Sequence, residues 1–341
     1  MRAFELARAS DAAAALSLMR QRAESGGGDA AADRTCYLAG GTTLLDLMKL
    51  DVMAPTAIID IRAAENEYGR IEADPAGLHL GALARMADAA EHDIVRRDYP
   101  AVAESLQQAA SAQLRNMATL GGNVLQRTRC GYFRDTGVPN CNKRNPGSGC
   151  AAIDGVNRLL AVLGTSEHCI ASYPGDFAVV LAALGASVEL RDPGGSRRSI
   201  PFTELHRLPG ATPHLETTLQ PGEMITGFLV PAGPWTRRSR YVKVRDRTSY
   251  AFAVASAAVA LFIDSSGKVV QARVGLGGVA TVPWRSHAAE AVLQGTVLTE
   301  AVAAEAARVA FADAVTHGEN AWKPELGRRT LVRALLEVAG C

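Results

Sequence analysis

Four of the six cysteines, Cys130, Cys141, Cys150 and Cys169, fall within forty residues, separated by ten, eight and eighteen positions. The stretches between the first three, GYFRDTGVPN and NKRNPGSG, are rich in Gly, Pro and Asn and show neither helix nor strand periodicity. Zinc fingers and ribbons present short C-x2-4-C pairs, and none occurs here, which lowers the rank of zinc. Four thiolates converging on one centre suit a [4Fe-4S] cluster. Gly and Pro would allow the wrapping turns, and Arg129, Lys143 and Arg144 would offset the cluster's negative charge. The competing reading is a set of buried structural thiols. Cys36 and Cys341 stand apart and read as structural.

A second kind of chemistry is suggested by two glycine turns. In AGGTTLLDLMK two glycines follow a strand pattern and precede a helical one. Such a turn lets backbone approach a ligand, and its N–H groups together with the hydroxyls of Thr42 and Thr43 suit phosphate oxygens. It is neither a Walker A loop nor G-x-G-x-x-G, and an ordinary strand-to-helix turn would read the same way. About eighty residues on, RNMATLGGNV offers Thr119, Gly121, Gly122 and Asn123. Together the two turns fit a clasp on the two phosphates of a dinucleotide; alone, the second reads equally well as a capped turn.

Asp176, in YPGDFAVV, either caps a helix or binds ribityl or ribose hydroxyls. Lys243, in YVKVRDRTSY, alternates with apolar residues as the solvent face of a strand would. The seven histidines are scattered, without H-E-x-x-H spacing, and no nucleophile elbow is present, so no hydrolytic site is read. With 36 Lys and Arg against 35 Asp and Glu, a bulk electrostatic grip on nucleic acid is not expected.

The 341 residues, 48% hydrophobic and 21% charged, suit a globular chain of two or three domains. The longest apolar run, AFAVASAAVALFI, is too short for a bilayer span and suits a buried strand or helix, so no membrane insertion is expected. The opening MRAFELARASDAAAALSLMR lacks the features of a secretory signal. Folding in the cytoplasm is therefore expected, where clustered cysteines favour metal or redox roles over disulfides.

Around these residues the pattern predicts a strand at AFEL, a helix over 11–24 capped by Ser10 or Asp11, a glycine-rich turn, and a buried strand at AIIDI after the first ligand-like turn. The strand-to-helix grammar recurs in LHLGALARMADAAEHDIVRRDYP. Pro100 ends that helix or opens the next, expected over 101–113. Beyond the cysteines, DFAVVLAALGASVELR gives a helix and then a strand, and LQPGEMITGFLVP leads to a linker at 231–235. From Ser239 two strand systems, and from about Ser286 helical sequence, make an α+β unit.

AGGTTLLDLMK, RNMATLGGNV, YVKVRDRTSYAFAVASAAVAL and GLGGVATVPWR together resemble the FAD-binding medium subunit of the xanthine oxidase family of molybdenum hydroxylases, over essentially the whole chain. The cysteine segment, LQRTRCGYFRDT through CNKRNPGSGC to SEHCIA, resembles the flavin subunit of bacterial periplasmic aldehyde oxidoreductases, which carries an additional [4Fe-4S] cluster. The resemblance implies an α+β architecture: a two-subdomain α/β FAD-binding domain of the PCMH type over 1–230, and a C-terminal α+β domain of the CO dehydrogenase flavoprotein type over 236–341. The subdomains are expected at about 1–60 and 61–230, with the iron-sulfur insert at about 124–170. It further implies that Cys36, Tyr37, Leu38, Ala39, Gly40, Gly41, Thr42, Thr43 and Leu44 hold the FAD pyrophosphate, with Thr119, Gly122 and Asn123 completing the clasp. Thr128 would contact FAD where the two loops meet, Asp176 would bind FAD hydroxyls, and Lys243 would lie near the isoalloxazine ring. Cys130, Cys141, Cys150 and Cys169 would be the cluster ligands.

By the same resemblance the partners are a large subunit with the molybdenum cofactor, which oxidises the substrate, and a small subunit with two [2Fe-2S] clusters. This chain would pass electrons through FAD to an external acceptor, and aldehydes are the expected substrates. The complex would work in the periplasm, exported on a partner's signal, or otherwise in the cytoplasm. Two alternatives are a flavin subunit of a xanthine or heterocycle dehydrogenase whose cysteine loop is structural or binds zinc, and a free-standing flavoenzyme.

Overall fold

The computed structural model describes residues 1–25 and 34–340. The glycine-rich turn expected near residue 26 and the terminal Cys341 lie outside the described residues. Three sheets organise the chain. The first is parallel, in the order β1 (Glu5–Arg8), β3 (Ala57–Asp60), β2 (Thr35–Leu38), with the helices Ala12–Ser25 and Leu44–Lys49 between successive strands. Asp11, not Ser10, caps the first helix, its Oδ1 accepting from Ala14 N–H at 2.8 Å.

The second sheet is antiparallel, in the order β4 (Ile71–Asp74), β5 (Gly77–Gly81), β8 (Met224–Pro231), β6 (Ser187–Arg191), β7 (Arg197–Pro201). The third, also antiparallel, runs β12 (Trp284–Arg285), β11 (Val269–Gly277), β10 (Ala255–Ile263), β9 (Ser239–Val244). The helix Asp176–Leu184, buried along its whole length, packs on both β10 and β11 and on the helix Pro100–Gln107. Its seat depends on glycine: a Cβ on Gly275 would stand 2.7 Å from the Val179 carbonyl, and one on Gly277 would stand 2.5 Å from a Val179 methyl. β10 explains its unbroken apolar run. Ala258 and Ala260 face this helix, while Ala257, Val259 and Leu261 face a second core that includes the helix Lys323–Ala339, and a strand buried on both faces need not alternate.

Pro100 opens its helix at N1. The helix expected over 101–113 divides: Pro100–Gln107 ends, Ala110 takes a left-handed φ of 49°, and Ser111 caps Ala112–Arg115. The cysteine segment between these units is clasped by C-terminal residues. Lys323, fully buried, donates from Nζ to the carbonyls of Leu159 and Leu160 at 2.9 Å and of Gly278 at 2.7 Å. Val162 N–H donates to Val279 O, and Val315 N–H to Val162 O. Among the described residues no helix is long and apolar enough to cross a membrane.

Candidate functional site: a cofactor cavity beside a cysteine cluster

A cavity of about 540 Å³, within the size range of ligand sites, is lined by segments that connect strands of all three sheets. Thr42, Thr43, Asn123 and Asp176 line it, together with Asp46, Gln126, Arg129 and Arg134 and the segment from Arg247 to Phe252. Of three non-glycine residues with left-handed backbone among the described residues, Ala110 and Tyr250 both line this cavity, and such conformations gather at ligand clamps.

The first glycine turn leaves β2 and enters the helix Leu44–Lys49. Gly41 has a φ of 73°, which reverses the chain without the penalty a side chain would carry. Among the described residues, no acceptor meets the N–H groups of Gly40 through Leu44. They form a run of free donors beside Thr42 and Thr43. Gly40 serves a different purpose: a Cβ there would stand 2.0 Å from the Met117 carbonyl oxygen. The two glycine turns touch backbone to backbone, and only glycine permits it.

The second turn keeps its donors to itself. Thr119 caps the helix Leu120–Val124 by accepting from Gly122 N–H at 3.3 Å; Leu120 N–H donates to Ala84 O, Gly121 to Ala82 O, and Asn123 to Thr119 O. What this turn offers the cavity is the Asn123 side chain, whose Oδ1 is buried without a partner. Thr119 lines a separate space of about 20 Å³ with Ala39, Gly40, Arg62 and Arg85.

The remaining residues singled out in the sequence divide. Cys36, Tyr37 and Leu38 sit on β2 behind the turn: burial pushes the Cys36 thiol up to about 11, and Tyr37 donates its hydroxyl to Gly222 O at 2.9 Å. Thr128 is turned away from the cavity; its hydroxyl donates to Ser172 O at 2.8 Å and accepts from Cys130 N–H at 3.2 Å. Lys243 is not on a solvent face. Its side chain is fully buried, with Nζ 2.7 Å from Asp176 Oδ2 and 3.0 Å from Gln108 O. Asp176 accepts from Tyr241 Oη as well, at 2.6 Å; burial pushes its carboxyl upward, and Lys243 and Tyr241 act against that.

Residues missed by the sequence reading are Asp46, Arg134 and Gln126. Arg134 pairs with both Asp46 oxygens, at 2.8 and 3.1 Å, and Arg129 with one, at 3.1 Å. Asp46 lies one helical turn past the two threonines, a spacing that places it on their face. Arg129 also stacks over the Phe252 ring at 4.9 Å, and its Nε is buried without a partner. Free backbone donors, an unpaired Asn123 oxygen and a buried cationic edge around one cavity fit a large polar anion with an aromatic end, as FAD is.

Next to this cavity, Cys130, Cys141, Cys150 and Cys169 line one narrow space with Lys143. Cys141 and Cys150 face each other across an antiparallel bridge. Asn142, buried, ties the strands of the loop: Nδ2 donates to His168 O at 3.0 Å, and Oδ1 accepts from Gly149 N–H at 2.8 Å. Cys169 Sγ accepts from Ala171 N–H at 3.5 Å. Burial pushes the Cys130 thiol up, reinforced by Cys141 and Cys150, and brings Cys169 to about 11 against the pull of Lys143.

Of the three cations proposed to offset a cluster, only Lys143 reaches this space. Arg144 instead gathers the carbonyls of Tyr132, Phe133 and Val138, and Arg129 faces the large cavity. The space admits about 10 Å³ of water-sized volume. Metal–sulfur bonds of about 2.3 Å reach well inside the distance at which a water stops, so a bonded group uses more room than that. Among the described residues, no three His, Cys, Asp or Glu are arranged to hold a single metal ion. Four free cysteines therefore share one space, with a lysine beside them.

Residues 2–233 match the family described as the FAD binding domain in molybdopterin dehydrogenase, and residues 240–338 match the CO dehydrogenase flavoprotein C-terminal domain. The chain is 48% identical over 302 residues to the aldehyde oxidoreductase FAD-binding subunit PaoB of Escherichia coli (strain K12), covering 88% of this chain and 90% of that one. It is 27% identical over 279 residues to the carbon monoxide dehydrogenase medium chain of Afipia carboxidovorans, covering 82% and 78%. The crystal structure of quinoline 2-oxidoreductase from Pseudomonas putida 86 shares the fold, with a TM-score of 0.74 over 99% of this chain and 98% of that one at 20% identity. The chain is thus an oxidoreductase subunit and belongs to the FAD-binding medium subunits of the xanthine oxidase family of molybdenum hydroxylases.

Proposed function

We propose that this chain is the electron-transfer subunit of a heterotrimeric aldehyde-oxidising molybdenum hydroxylase. It takes electrons from [2Fe-2S] clusters of a small partner and passes them by way of FAD to an external acceptor, while a large partner with the molybdenum cofactor oxidises the aldehyde. The observation that carries the flavin site is the run of free N–H groups from Gly40 to Leu44, of which Thr42 and Thr43 line the cavity. These groups and the Thr42 and Thr43 hydroxyls would hold the pyrophosphate, Asn123 and Asp176 would orient hydroxyl and ring edges, and Lys243 would act from behind Asp176. Bound FAD supplies a centre able to exchange one or two electrons.

Cys130, Cys141, Cys150 and Cys169 would hold an additional [4Fe-4S] cluster. What supports this reading is that all four cysteines line one narrow space together with Lys143, whose charge would offset that of the cluster. Aldehyde as substrate follows from the relative named for that activity. The complex would be exported to the periplasm on a partner's signal.

The test is an anaerobic assay of iron, acid-labile sulfide and flavin on the purified complex and on its Cys141→Ser variant. Loss of about four irons in the variant is expected; unchanged iron would overturn the cluster. Turnover of aldehyde by the isolated chain would overturn the division of labour and make it a free-standing flavoenzyme.

A further inference from the structure

The cysteine segment and the first glycine turn meet at one carboxylate. Asp46 stands on the helix Leu44–Lys49, directly after the free donors of the turn. Its two partners bracket the first cysteine: Arg129 immediately precedes Cys130, and Arg134 ends the short helix Gly131–Arg134 that follows it. The neighbouring Leu47 is buried among Cys130, Cys141 and Cys169. One short helix therefore presents Asp46 to the flavin cavity and Leu47 to the cysteine cluster. Arg129 and Arg134 line that cavity, so part of its wall is cysteine segment.

We propose that Asp46 is the positioning residue through which the cysteine segment holds the flavin-binding turn, so that filling the cysteine site and filling the flavin cavity favour each other. This rests on the reading of the two sites given above. With four thiols bound to one centre, the backbone on both sides of Cys130 is fixed, both guanidinium groups are fixed against Asp46, and the turn keeps the shape that offers its N–H groups. Without the bound group, the arginines move with the segment and the turn loses its brace.

The cysteine segment has other anchors. Glu216 pairs with Arg127 and with Lys143, the latter at 3.2 Å, and Lys143 donates to Pro213 O at 3.1 Å. Removing the Asp46 charge therefore uncouples the two sites without unfolding either. Coupling between sites commonly amounts to 5–150-fold in affinity, and a cycle of variants isolates it.

The experiment measures the FAD dissociation constant of the deflavinated complex by flavin fluorescence, with iron counted on the same samples, for wild type, Cys141→Ser, Asp46→Asn and the double variant. Cys141→Ser is expected to weaken FAD about tenfold in the wild-type background and less than about twofold beside Asp46→Asn. Asp46→Glu should restore most of the coupling. An equal effect of Cys141→Ser in both backgrounds, or loss of iron with FAD affinity unchanged, overturns the inference while leaving the cluster in place. Full retention of iron by Cys141→Ser overturns the cluster itself. If a substituted complex does not fold, chelating iron from the intact wild type reads the same linkage: FAD affinity should fall as iron leaves, and an unchanged affinity overturns the inference.

Discussion

In the turn after β2, the N–H groups from Gly40 to Leu44 meet no acceptor among the described residues, whereas from Leu120 to Asn123 every N–H is already engaged within the protein. Both stretches show two glycines with threonine and small neighbours, and both look donor-rich. The difference lies in the acceptors: the carbonyls of Ala82 and Ala84 take the donors of Leu120 and Gly121, and Thr119 takes those of Gly122 and Asn123, whereas among the described residues no acceptor is bonded by the first turn. One turn is open to a ligand. The other braces it, through the contact that Gly40 allows with Met117.

Substitutions rank accordingly. Gly40→Ala forces two backbones apart, since its Cβ would stand 2.0 Å from the Met117 oxygen; a loss of about 3 kcal/mol and FAD-free protein are expected by thermal melting and flavin content. A Gly40→Ala protein that retains FAD would end the distinction between the turns. Gly41→Ala should follow, at about 1–2 kcal/mol for a left-handed residue, with weaker FAD binding in titration. Thr119→Ala removes a cap and should cost about 1 kcal/mol on denaturant unfolding, with Thr119→Ser close to wild type. Smallest is Gly122→Ala, whose Cβ would meet only the Thr119 hydroxyl, at 3.0 Å. Less than about 1 kcal/mol and unaltered FAD content are expected, and a large loss of flavin would show that this turn contacts the cofactor directly.

Acid sharpens the contrast from another side. Hydrogen bonding from Arg134, with Arg129 adding to it, holds the Asp46 carboxyl below the usual carboxylate range. Its contribution is therefore complete above about pH 4 and is lost as pH falls further. The second turn, capped by a hydroxyl, has no such dependence. The advantage in FAD affinity of wild type over Asp46→Asn should shrink as pH falls below about 4 if the anchor matters; a constant ratio would count against it.

The sequence carried the local rules well. The helix-then-strand reading of DFAVVLAALGASVELR follows from nearest-neighbour chemistry, while the choice of Asp11 over Ser10 as cap, and of Pro100 as opening rather than ending a helix, came from the structure. The break at Ala110 was not legible, because an alanine-rich stretch favours continuing the helix while the cavity wall requires a reversal there. Thr42, Thr43, Asn123 and Asp176 could be picked out by type and motif, and they line one cavity. Asp46, Arg134 and Tyr250 could not, since their meeting depends on segments up to two hundred residues apart. Lys243 misled by its alternation: the face opposite its apolar neighbours is covered by the helix Pro100–Gln107 and by Asp176 at the start of the next buried helix rather than by water.

The ammonium of Lys323, shared among the carbonyls of Leu159, Leu160 and Gly278, sets an order of events during synthesis. The cysteines leave the ribosome early, but the carbonyls that close their segment wait for a residue made about 160 positions later. At 5–20 residues per second that delay is roughly 10–30 s. Through that interval the four thiols stand in an unfinished enclosure. Once the last helix arrives, Lys323 shuts the rear of the segment, so a thiol reagent should label these cysteines faster on the nascent chain than in the finished protein.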